Sequence, residues 1–281
     1  ASRYHAARAV RNRAAVAGAR ETSGNMAVQL SIVVPARNEE QRLGRMLDAY
    51  LPFFRERYGD AVEFIIVVNG SSDDTIGVAR RYAEAWPGVR VIEEPQPIGK
   101  GGAVIRGFQA ARGEQIGFVD ADGATPPEAF EDLLRHFDGA GAVIANRWDP
   151  RSDILRQPWT RRVASRVFNA LVRLLFGLNT TDTQCGAKVL TRRAVEDVLP
   201  CLGITQWAFD VDLLFQLRRH GHRIVEVPTV WRDVGGSHVR VGRTSLEMLI
   251  AIVRLRLIYS PFRWVVRLYD LTLGRMIRHR V

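Results

Sequence analysis

The sequence predicts an α/β domain in which helices flank a mostly parallel, doubly wound sheet. Short apolar runs rich in β-branched residues alternate with segments whose apolar residues recur at helical spacing. The loops between them are short, and polar residues follow several of the apolar runs directly. Ligands of such sheets bind outside the carboxyl ends of the strands, so these polar residues are the candidates for function.

Each predicted strand is an apolar run that ends at a turn signal. The predicted strands are Val28–Pro35, Val62–Val68, Val89–Glu93, Gln115–Val119, Ala142–Ala145 and Ile224–Pro228, with a short run at Lys188–Leu190. Apolar residues at helical spacing indicate the helices. The predicted helices are Glu39–Tyr58, Thr75–Trp86, Gly101–Ala111, Pro127–Phe137, Trp159–Phe176 and Phe209–His220. Pro52 is expected to kink or break the first helix.

The charge divides the chain into three parts. The net charge is +10, and residues 1–25 contain five arginines against one glutamate, while residues 234–281 contain nine arginines against two acids. The body, residues 26–233, is therefore close to neutral. A neutral body with basic ends is typical of a protein attached to an anionic surface. No nucleic-acid-binding motif accompanies the charge, so we expect no nucleic acid partner.

The cysteines and the first residues bear on the compartment. Two cysteines, Cys185 and Cys201, are too few for a disulfide framework and indicate a reducing environment. Residues 1–25 are rich in Arg and Ala and lack the apolar core of a secretory signal. We expect them to form a basic segment, either disordered or helical.

The basic tail is also strongly apolar. Leu246–Tyr259 is interrupted by Arg254 and Arg256, Pro261 ends it, and Phe262–Arg280 mixes aromatic, aliphatic and basic residues. No uninterrupted apolar run reaches the ~18–20 residues that span a bilayer. The pattern favours amphipathic helices that lie in a membrane interface. The alternative is a helical hairpin packed on the body or at a dimer contact.

Two aspartates follow the fourth predicted strand. Asp120 and Asp122 stand one residue apart directly after Val119, and Gly123 and two prolines end the strand. Carboxylates at the end of a buried strand need a positive partner. Mg²⁺ prefers one or two carboxylates together with substrate phosphate oxygens. The pair predicts a divalent metal that carries a diphosphate, although a short Asp-x-Asp also fits an ordinary acidic loop.

Three further loops carry polar residues whose roles the sequence leaves open. Pro35–Glu40 and Asn69–Thr75 contain residues that cap helices, and a nucleotide could equally lie across them. Gly99–Gly102 lets backbone amides approach a diphosphate, with Lys100 as a point charge, but it lacks the spacing of a P-loop. Asp210 and Asp212 begin a helix among aromatic residues, either as dipole partners or as carboxylates near a reacting centre.

Taken in order, these segments resemble glycosyltransferases of family 2, which have the GT-A (Rossmann-like) fold. The resemblance extends from about Val28 to Phe262, and within the family it is to dolichyl-phosphate β-glucosyltransferases and bacterial polyprenyl-phosphate relatives. The stretches that carry it are Gly99–Ala103, Asp120–Thr125, Asp182–Gly186 and Trp207–Val211. Each is longer and more particular than Asp-x-Asp alone.

The resemblance implies a role for each group of residues. The nucleoside pocket would be lined by Pro35, Ala36, Glu39, Val68 and Asn69. The donor diphosphate and its Mg²⁺ or Mn²⁺ would be held by Lys100, Gly101, Asp120 and Asp122, with Asp122 the metal ligand and Asp120 near the ribose and metal. Arg147 would face a phosphate of the donor or of the acceptor, and Asp182 and Gln184 would lie by the sugar or the acceptor phosphate. Asp210 and Asp212 would be the further candidates for catalysis.

Two departures from the family pattern bear on the donor. Many members have Asp-Asp-Gly-Ser where this chain has Val68-Asn69-Gly70-Ser71, so the base contact falls to Asn69, to backbone or to another group. Related mannosyltransferases have Gln where this chain has Ala124. The second departure favours a UDP-linked donor over GDP-mannose.

The resemblance thus implies an inverting transfer of a hexose, glucose in our reading, from a UDP-sugar to a polyprenyl phosphate. The enzyme would act as a peripheral protein on the cytoplasmic face of a membrane, alone or as a homo-oligomer. An anionic acceptor phosphate needs no strong general base, which makes Asp210 and Asp212 less essential. The alternatives are GDP-mannose or a UDP-N-acetylhexosamine as donor, or a non-lipid sugar as acceptor.

Overall fold

The computed structural model describes residues 27–155, 159–203, 208–232, 241–262, 264 and 266. The predicted basic segment, residues 1–25, lies outside the described residues. So do residues 233–240 and all of the predicted tail after Val266. Within the described part, the predicted alternation of strands and helices is confirmed.

Nine strands and eight α-helices make up the described part of the chain. The strands are β1 Leu30–Ala36, β2 Val62–Asn69, β3 Val89–Glu94, β4 Gln115–Phe118, β5 Ala142–Asn146, β6 Asp153–Leu155, β7 Lys188–Thr191, β8 Ile224–Pro228 and β9 Val230–Arg232. The helices are α1 Glu40–Tyr58, α2 Thr75–Ala85, α3 Gly99–Ala110, α4 Pro127–Leu134, α5 Trp159–Phe176, α6 Arg192–Val198, α7 Phe209–Arg219 and α8 Val241–Ile258.

Seven strands form one sheet in the order β3-β2-β1-β4-β7-β5-β8. All neighbouring pairs are parallel except those of β7, which runs antiparallel to both β4 and β5. Because β7 is reversed, its amino end lies at the edge where the other strands have their carboxyl ends. The loop that precedes β7, rather than the one that follows it, therefore reaches the ligand edge of the sheet.

Two apolar layers cover the two faces of the sheet. One contains the buried side chains of α1 and α4, including Tyr50, Phe54 and Phe130, whose rings pack together. The other contains side chains of α3 and of α5 to α8, including Phe209, whose ring packs against Phe118 of β4. β1 and β2 are buried along their whole length, as expected for central strands of a parallel sheet.

The structure differs from the sequence-based expectation at two elements. Helix α1 continues through Pro52, so of the two expected effects, a kink or a break, the break does not occur. The buried aromatic packing of Tyr50 and Phe54 on both sides of the proline outweighs the ~3 kcal/mol that proline costs in a helix interior. The small parallel pair β6–β9 was not predicted, because each strand has only three residues and no buried apolar run.

Candidate active site

The carboxyl ends of β1, β2 and β4 bring the predicted donor residues to one edge of the sheet. Ala36 pairs in register with Val68, and Phe118 pairs with Val33, so the loops that follow these strands are neighbours. Asn69 is buried, and its Nδ2 donates to the carbonyl oxygen of Ala36 at 3.3 Å. Its Oδ1 is buried without a hydrogen-bond partner in the described part of the chain. This oxygen is an acceptor that a ligand at this edge can use.

The loops after β1 and β2 are tied together. The side-chain oxygen of Asn38 accepts from the backbone N–H of Ser72 at 2.8 Å, and the Glu39 N–H donates to Thr75 Oγ1 at 2.8 Å. Asn38 has φ +56°, a left-handed conformation that asparagine tolerates better than most residues. The polar residues of the two loops therefore brace each other, although neither Glu39 nor Asp74 caps its helix with a side-chain hydrogen bond. The braced loops give the predicted nucleoside pocket a fixed wall.

The two aspartates after β4 share a partly buried, electronegative site. Asp122 Oδ1 accepts from the Ala124 backbone N–H at 2.9 Å. Burial raises the pKa of Asp122, and the negative charge of Asp120 raises it further. Burial also raises the pKa of Glu39, even though Arg42 forms a two-point ion pair with it at 2.6 and 2.7 Å. Carboxylates whose protonation is favoured in this way are those that a cation would stabilise.

This donor set fits a divalent cation that is shared with a diphosphate. Among the described residues, no cluster of three or more His, Cys, Asp or Glu side chains is arranged to hold a metal. The chain itself can offer Asp120 and Asp122, and a hard cation bound by one or two carboxylates takes its remaining ligands from phosphate oxygens and water.

Lys100 faces the aspartates from the first turn of α3. Its Nζ lies 2.8 Å from Asp120 Oδ1 and 3.8 Å from Asp210 Oδ2. Burial alone would lower the pKa of Lys100, and the charges of Asp120 and Asp210 instead raise it well above its usual value. Lys100 is therefore a permanently charged group beside the pair of aspartates.

Asp210 and Asp212 lie on different faces of α7. Asp210 faces Lys100 and also contacts a residue that the sequence analysis missed, the fully buried Lys188, at 2.5 Å. Asp212 instead accepts from the hydroxyl of Tyr259 at 2.7 Å, next to the end of α8, and from the Gly203 N–H at 3.3 Å. Two positions along a helix turn the side chain of Asp212 away from that of Asp210, and a part for Asp212 in catalysis stays a prediction.

Two glycines permit close packing around these charges. A Cβ on Gly101 would lie 2.5 Å from Cβ of Phe209, so this glycine lets α3 approach α7. The close approach of the nucleotide that is predicted at Gly101 stays a prediction. A Cβ on Gly186, in the loop before β7, would overlap the carboxylate of Asp120.

Arg147 is held rigidly beside this site. Its Nε and Nη2 donate to the two oxygens of Asp182 at 2.8 and 3.0 Å, and its backbone N–H donates to the same carboxylate at 2.9 Å. Burial would raise the pKa of Asp182, but the charge and hydrogen bonds of Arg147 lower it. Asp182 is fully buried and orients Arg147. Its predicted place beside the sugar or the acceptor phosphate stays a prediction.

Gln184 and a neighbouring cavity complete the site. The Nε2 group of Gln184 is buried and has no partner among the described residues, so its donors are available. A cavity of about 530 Å³ lies between the loop after β5 and α5, and Trp148, Arg166 and Arg173 are among its lining residues. The structure thus places the residues predicted for the donor and those predicted for the acceptor at one edge of the sheet.

Comparisons with known proteins agree with this arrangement. The family model described as glycosyl transferase family 2 matches residues 31–199. A dolichyl-phosphate β-glucosyltransferase of Dictyostelium discoideum is 34% identical over 253 residues, which is 85% of this chain and 77% of the relative. One from Drosophila melanogaster is 36% identical over 235 residues, covering 79% of this chain and 72% of the relative.

Solved structures show the same architecture. Glucosyl-3-phosphoglycerate synthase from Mycobacterium tuberculosis, in complex with UDP, superposes with a TM-score of 0.61 at 24% sequence identity, over 87% of this chain and 81% of that one. This chain belongs to glycosyl transferase family 2 and has the GT-A fold that its sequence predicts.

Proposed function

We propose that this glycosyltransferase moves glucose from UDP-glucose to a dolichyl-type polyprenyl phosphate, with inversion at the anomeric carbon. The observation that carries the proposal is the meeting of Asp120, Asp122 and Lys100 at the carboxyl edge of the sheet. Relatives at 34–36% identity named dolichyl-phosphate β-glucosyltransferase support the choice of sugar and acceptor.

On the donor side, Asp122 and Asp120 would hold Mg²⁺ or Mn²⁺ and Lys100 would neutralise the diphosphate. The mycobacterial synthase has been crystallised with Mn²⁺ and UDP-glucose, which supports a divalent metal without choosing between the two ions. When bound, the cation acts as a Lewis acid on the departing diphosphate. Pro35, Ala36, Glu39 and Asn69 would position the nucleoside, and the unpartnered Oδ1 of Asn69 supplies an acceptor for the base.

On the acceptor side, Arg147 would orient the attacking phosphate by charge-assisted hydrogen bonds. Its position is fixed by Asp182, so the orienting groups are set before the substrate arrives. A phosphate oxygen is already anionic near neutral pH and needs no proton removed. This agrees with Asp210, whose carboxylate is engaged by two lysines rather than free to act as a base.

We further propose that the enzyme is a peripheral membrane protein on the cytoplasmic face. No helix in the described part of the chain is long and apolar enough to cross a membrane. Helix α8 buries Ile252 and Leu255 against the body, yet Ile250 and Val253 on its other side are 59% and 45% exposed. An apolar outer side next to basic residues is typical of a helix at a lipid interface. A dimer contact through the same surface is the alternative.

The test is a panel of radiolabelled donors offered with polyprenyl phosphate, with and without Mg²⁺ or Mn²⁺. UDP-glucose should give a lipid-extractable product that requires metal, whereas GDP-mannose and UDP-N-acetylglucosamine should give little. Adding 3-phosphoglycerate as a soluble acceptor addresses the second candidate, which the fold of the mycobacterial synthase suggests. Transfer to that acceptor but not to the lipid would overturn the proposal.

A further inference from the structure

Lys188 lies behind the donor side of the site and has no part in the function proposed above. The sequence contains only two lysines among its 40 basic Lys and Arg residues, Lys100 and Lys188. Lys188 is 0% exposed, and its Nζ donates to the Cys185 carbonyl oxygen at 2.6 Å and to Asp210 Oδ1 at 2.5 Å. A buried ammonium group is unfavourable unless it is paired, so its partner is central to any role.

Both lysines share Asp210. Its Oδ1 contacts Lys188, and its Oδ2 faces Lys100 at 3.8 Å, while Lys100 contacts Asp120 at 2.8 Å. Negative and positive side chains therefore alternate from the donor edge inwards, in the order Asp120, Lys100, Asp210 and Lys188. The two ammonium groups also lie over the ring of Phe118, at 5.6 Å for Lys100 and 5.3 Å for Lys188. A compact ammonium group fits this crowded site better than the planar fork of an arginine.

Removing the positive charge of Lys188 would leave the negative charge of Asp210 with less compensation. The carboxylate is 4% exposed, so solvent cannot compensate for a lost partner. Burial would raise the pKa of Asp210, and the charges of Lys100 and Lys188 bring it below its usual value instead. With Lys188 neutral, Lys100 would be the remaining ion-pair partner of Asp210 within the described residues and would be drawn away from Asp120.

We propose that Lys188 is a positioning residue for the donor diphosphate, because it neutralises Asp210 from behind and leaves the ammonium group of Lys100 directed at the ligand. The inference rests on the proposed function, since it takes a nucleoside diphosphate as the ligand of Lys100. Lys188 touches no substrate and acts through Asp210 and Lys100.

The experiment measures UDP affinity in the presence of Mn²⁺ by titration calorimetry for the wild type, K188M, D210N and K188M/D210N. K188M should weaken UDP binding about tenfold. The double variant should recover to within about threefold of wild type, because the uncompensated carboxylate is gone. As the matched control, K100M/D210N should not recover, since the proposed phosphate ligand itself is missing.

Thermal melting separates this role from a loss of fold. If K188M does not fold, K188Q replaces it, because its amide can still donate to the Cys185 carbonyl oxygen without carrying charge. Selective ¹³C-lysine labelling gives a second measurement, in which K188M retains only the Cε signal of Lys100 and its response to UDP and Mg²⁺ should shrink.

The possible failures are distinguishable. A wild-type protein that does not bind UDP with Mn²⁺ overturns the proposed donor and this inference together. A wild type that binds UDP, with a folded K188M that binds it equally well, overturns the inference alone. So does a double variant that binds as weakly as K188M, since neutralising Asp210 would then have restored nothing.

Discussion

At the scale of single residues, the candidate site depends on a contact between a carboxylate and a glycine far apart in the sequence. Asp120 follows β4, and Gly186 precedes β7, and the antiparallel pairing of these strands brings them together. The carboxylate of Asp120 occupies the space where a Cβ on Gly186 would lie. Gly186 has no positive φ, so space rather than backbone conformation selects glycine there.

Gly186→Ala should therefore displace Asp120 and reduce transfer by about tenfold or more, in the way that misplaced groups reduce positioned catalysis. The measurement is the rate of lipid-linked product formation at saturating donor, together with thermal melting. Gly44→Ala in α1 is the matched control, because its Cβ would meet only ordinary contacts with Tyr82 and Val78 of α2. Equal rates for the two variants would contradict the prediction.

Asp122→Asn should lower the transfer rate by about 10²-fold or more, because it removes the carboxylate that we assign to the metal. Stability should stay the same or rise. The pKa of Asp122 is raised in the folded state, so its ionised form opposes folding at neutral pH. Metal-dependent UDP binding and the melting temperature are the readouts, with the exposed Asp60→Asn as control. Full transfer activity in the Asp122→Asn variant would contradict the assignment of Asp122 to the metal.

The sequence identified some of these residues and not others for a physical reason. Asp120, Asp122 and Lys100 stand in loops after apolar runs, where a polar residue is conspicuous and the strand order predicts the ligand edge. The roles of Lys188 and Asp182 depend on burial and on partners from distant segments. Spacing along the chain carries no information about such contacts, although the rarity of lysine was a usable signal for Lys188.

At the scale of secondary-structure elements, one buried carboxylate joins the amino ends of β1 and β2 to the turn before β4. Glu63 is 1% exposed and accepts from Ser31 Oγ at 2.7 Å, from the Arg112 N–H at 2.7 Å and from Arg90 at 3.0 Å. These contacts lie at the end of the sheet opposite the site. They stabilise the sheet without taking part in chemistry.

Glu63→Gln should lower the free energy of unfolding by about 3 kcal/mol at neutral pH, since it leaves buried donors without a charged acceptor. Burial would raise the pKa of Glu63, but bonds from Ser31 and Arg112 hold it below its usual 4.5. The stabilisation is therefore complete above pH 4.5 and is lost as the pH falls through the lower folded-state value.

Urea unfolding from pH 7 to pH 3 is the measurement for this prediction. The difference between wild type and Glu63→Gln should narrow in acid, whereas the exposed Glu56→Gln should differ little from wild type at any pH. A difference that stays constant down to pH 3 would show that the charge of Glu63 is not the source of its contribution.

Strands and helices were predictable from the sequence where a run of apolar residues determines them. Apolar runs located the seven strands of the main sheet, because buried parallel strands must be apolar throughout. The pair β6–β9 and the passage of α1 through Pro52 depend on tertiary contacts that no local pattern records. The antiparallel direction of β7 could not be predicted from its sequence either, because the residues of a short apolar strand do not show whether its neighbours are parallel or antiparallel to it.

At the scale of the whole molecule, the faces of the sheet differ in what covers them. Helices α1, α2 and α4 pack on one face, and α3 together with α5 to α8 packs on the other. Of the large exposed apolar side chains in the described part of the chain, all except Leu155 of β6 belong to the second group of helices or follow it. They are Val167, Leu174, Leu249, Ile250, Val253, Phe262 and Trp264. The proposed membrane contact therefore lies on a single side of the protein.

Ile250→Asp should weaken binding to vesicles of phosphatidylcholine and phosphatidylglycerol by about tenfold, because it replaces an apolar side chain that would enter the lipid with a charge. Co-sedimentation with vesicles measures this, and UDP binding verifies the fold. Ala85→Asp adds the same charge at an exposed position on the other face and should bind vesicles like the wild type. Equal loss in both variants would indicate a general charge effect.

The reversed strand β7 has a consequence for the order in which the chain can fold during synthesis. Strands β1 to β4 can pair as soon as Phe118 has emerged, but β4 then remains an open edge until Lys188–Thr191 arrives to cover it. Strand β5 emerges earlier and must wait for the same partner. Until β7 emerges, the nascent chain therefore carries two unpaired apolar edges, and we expect protection of those edges to affect its yield.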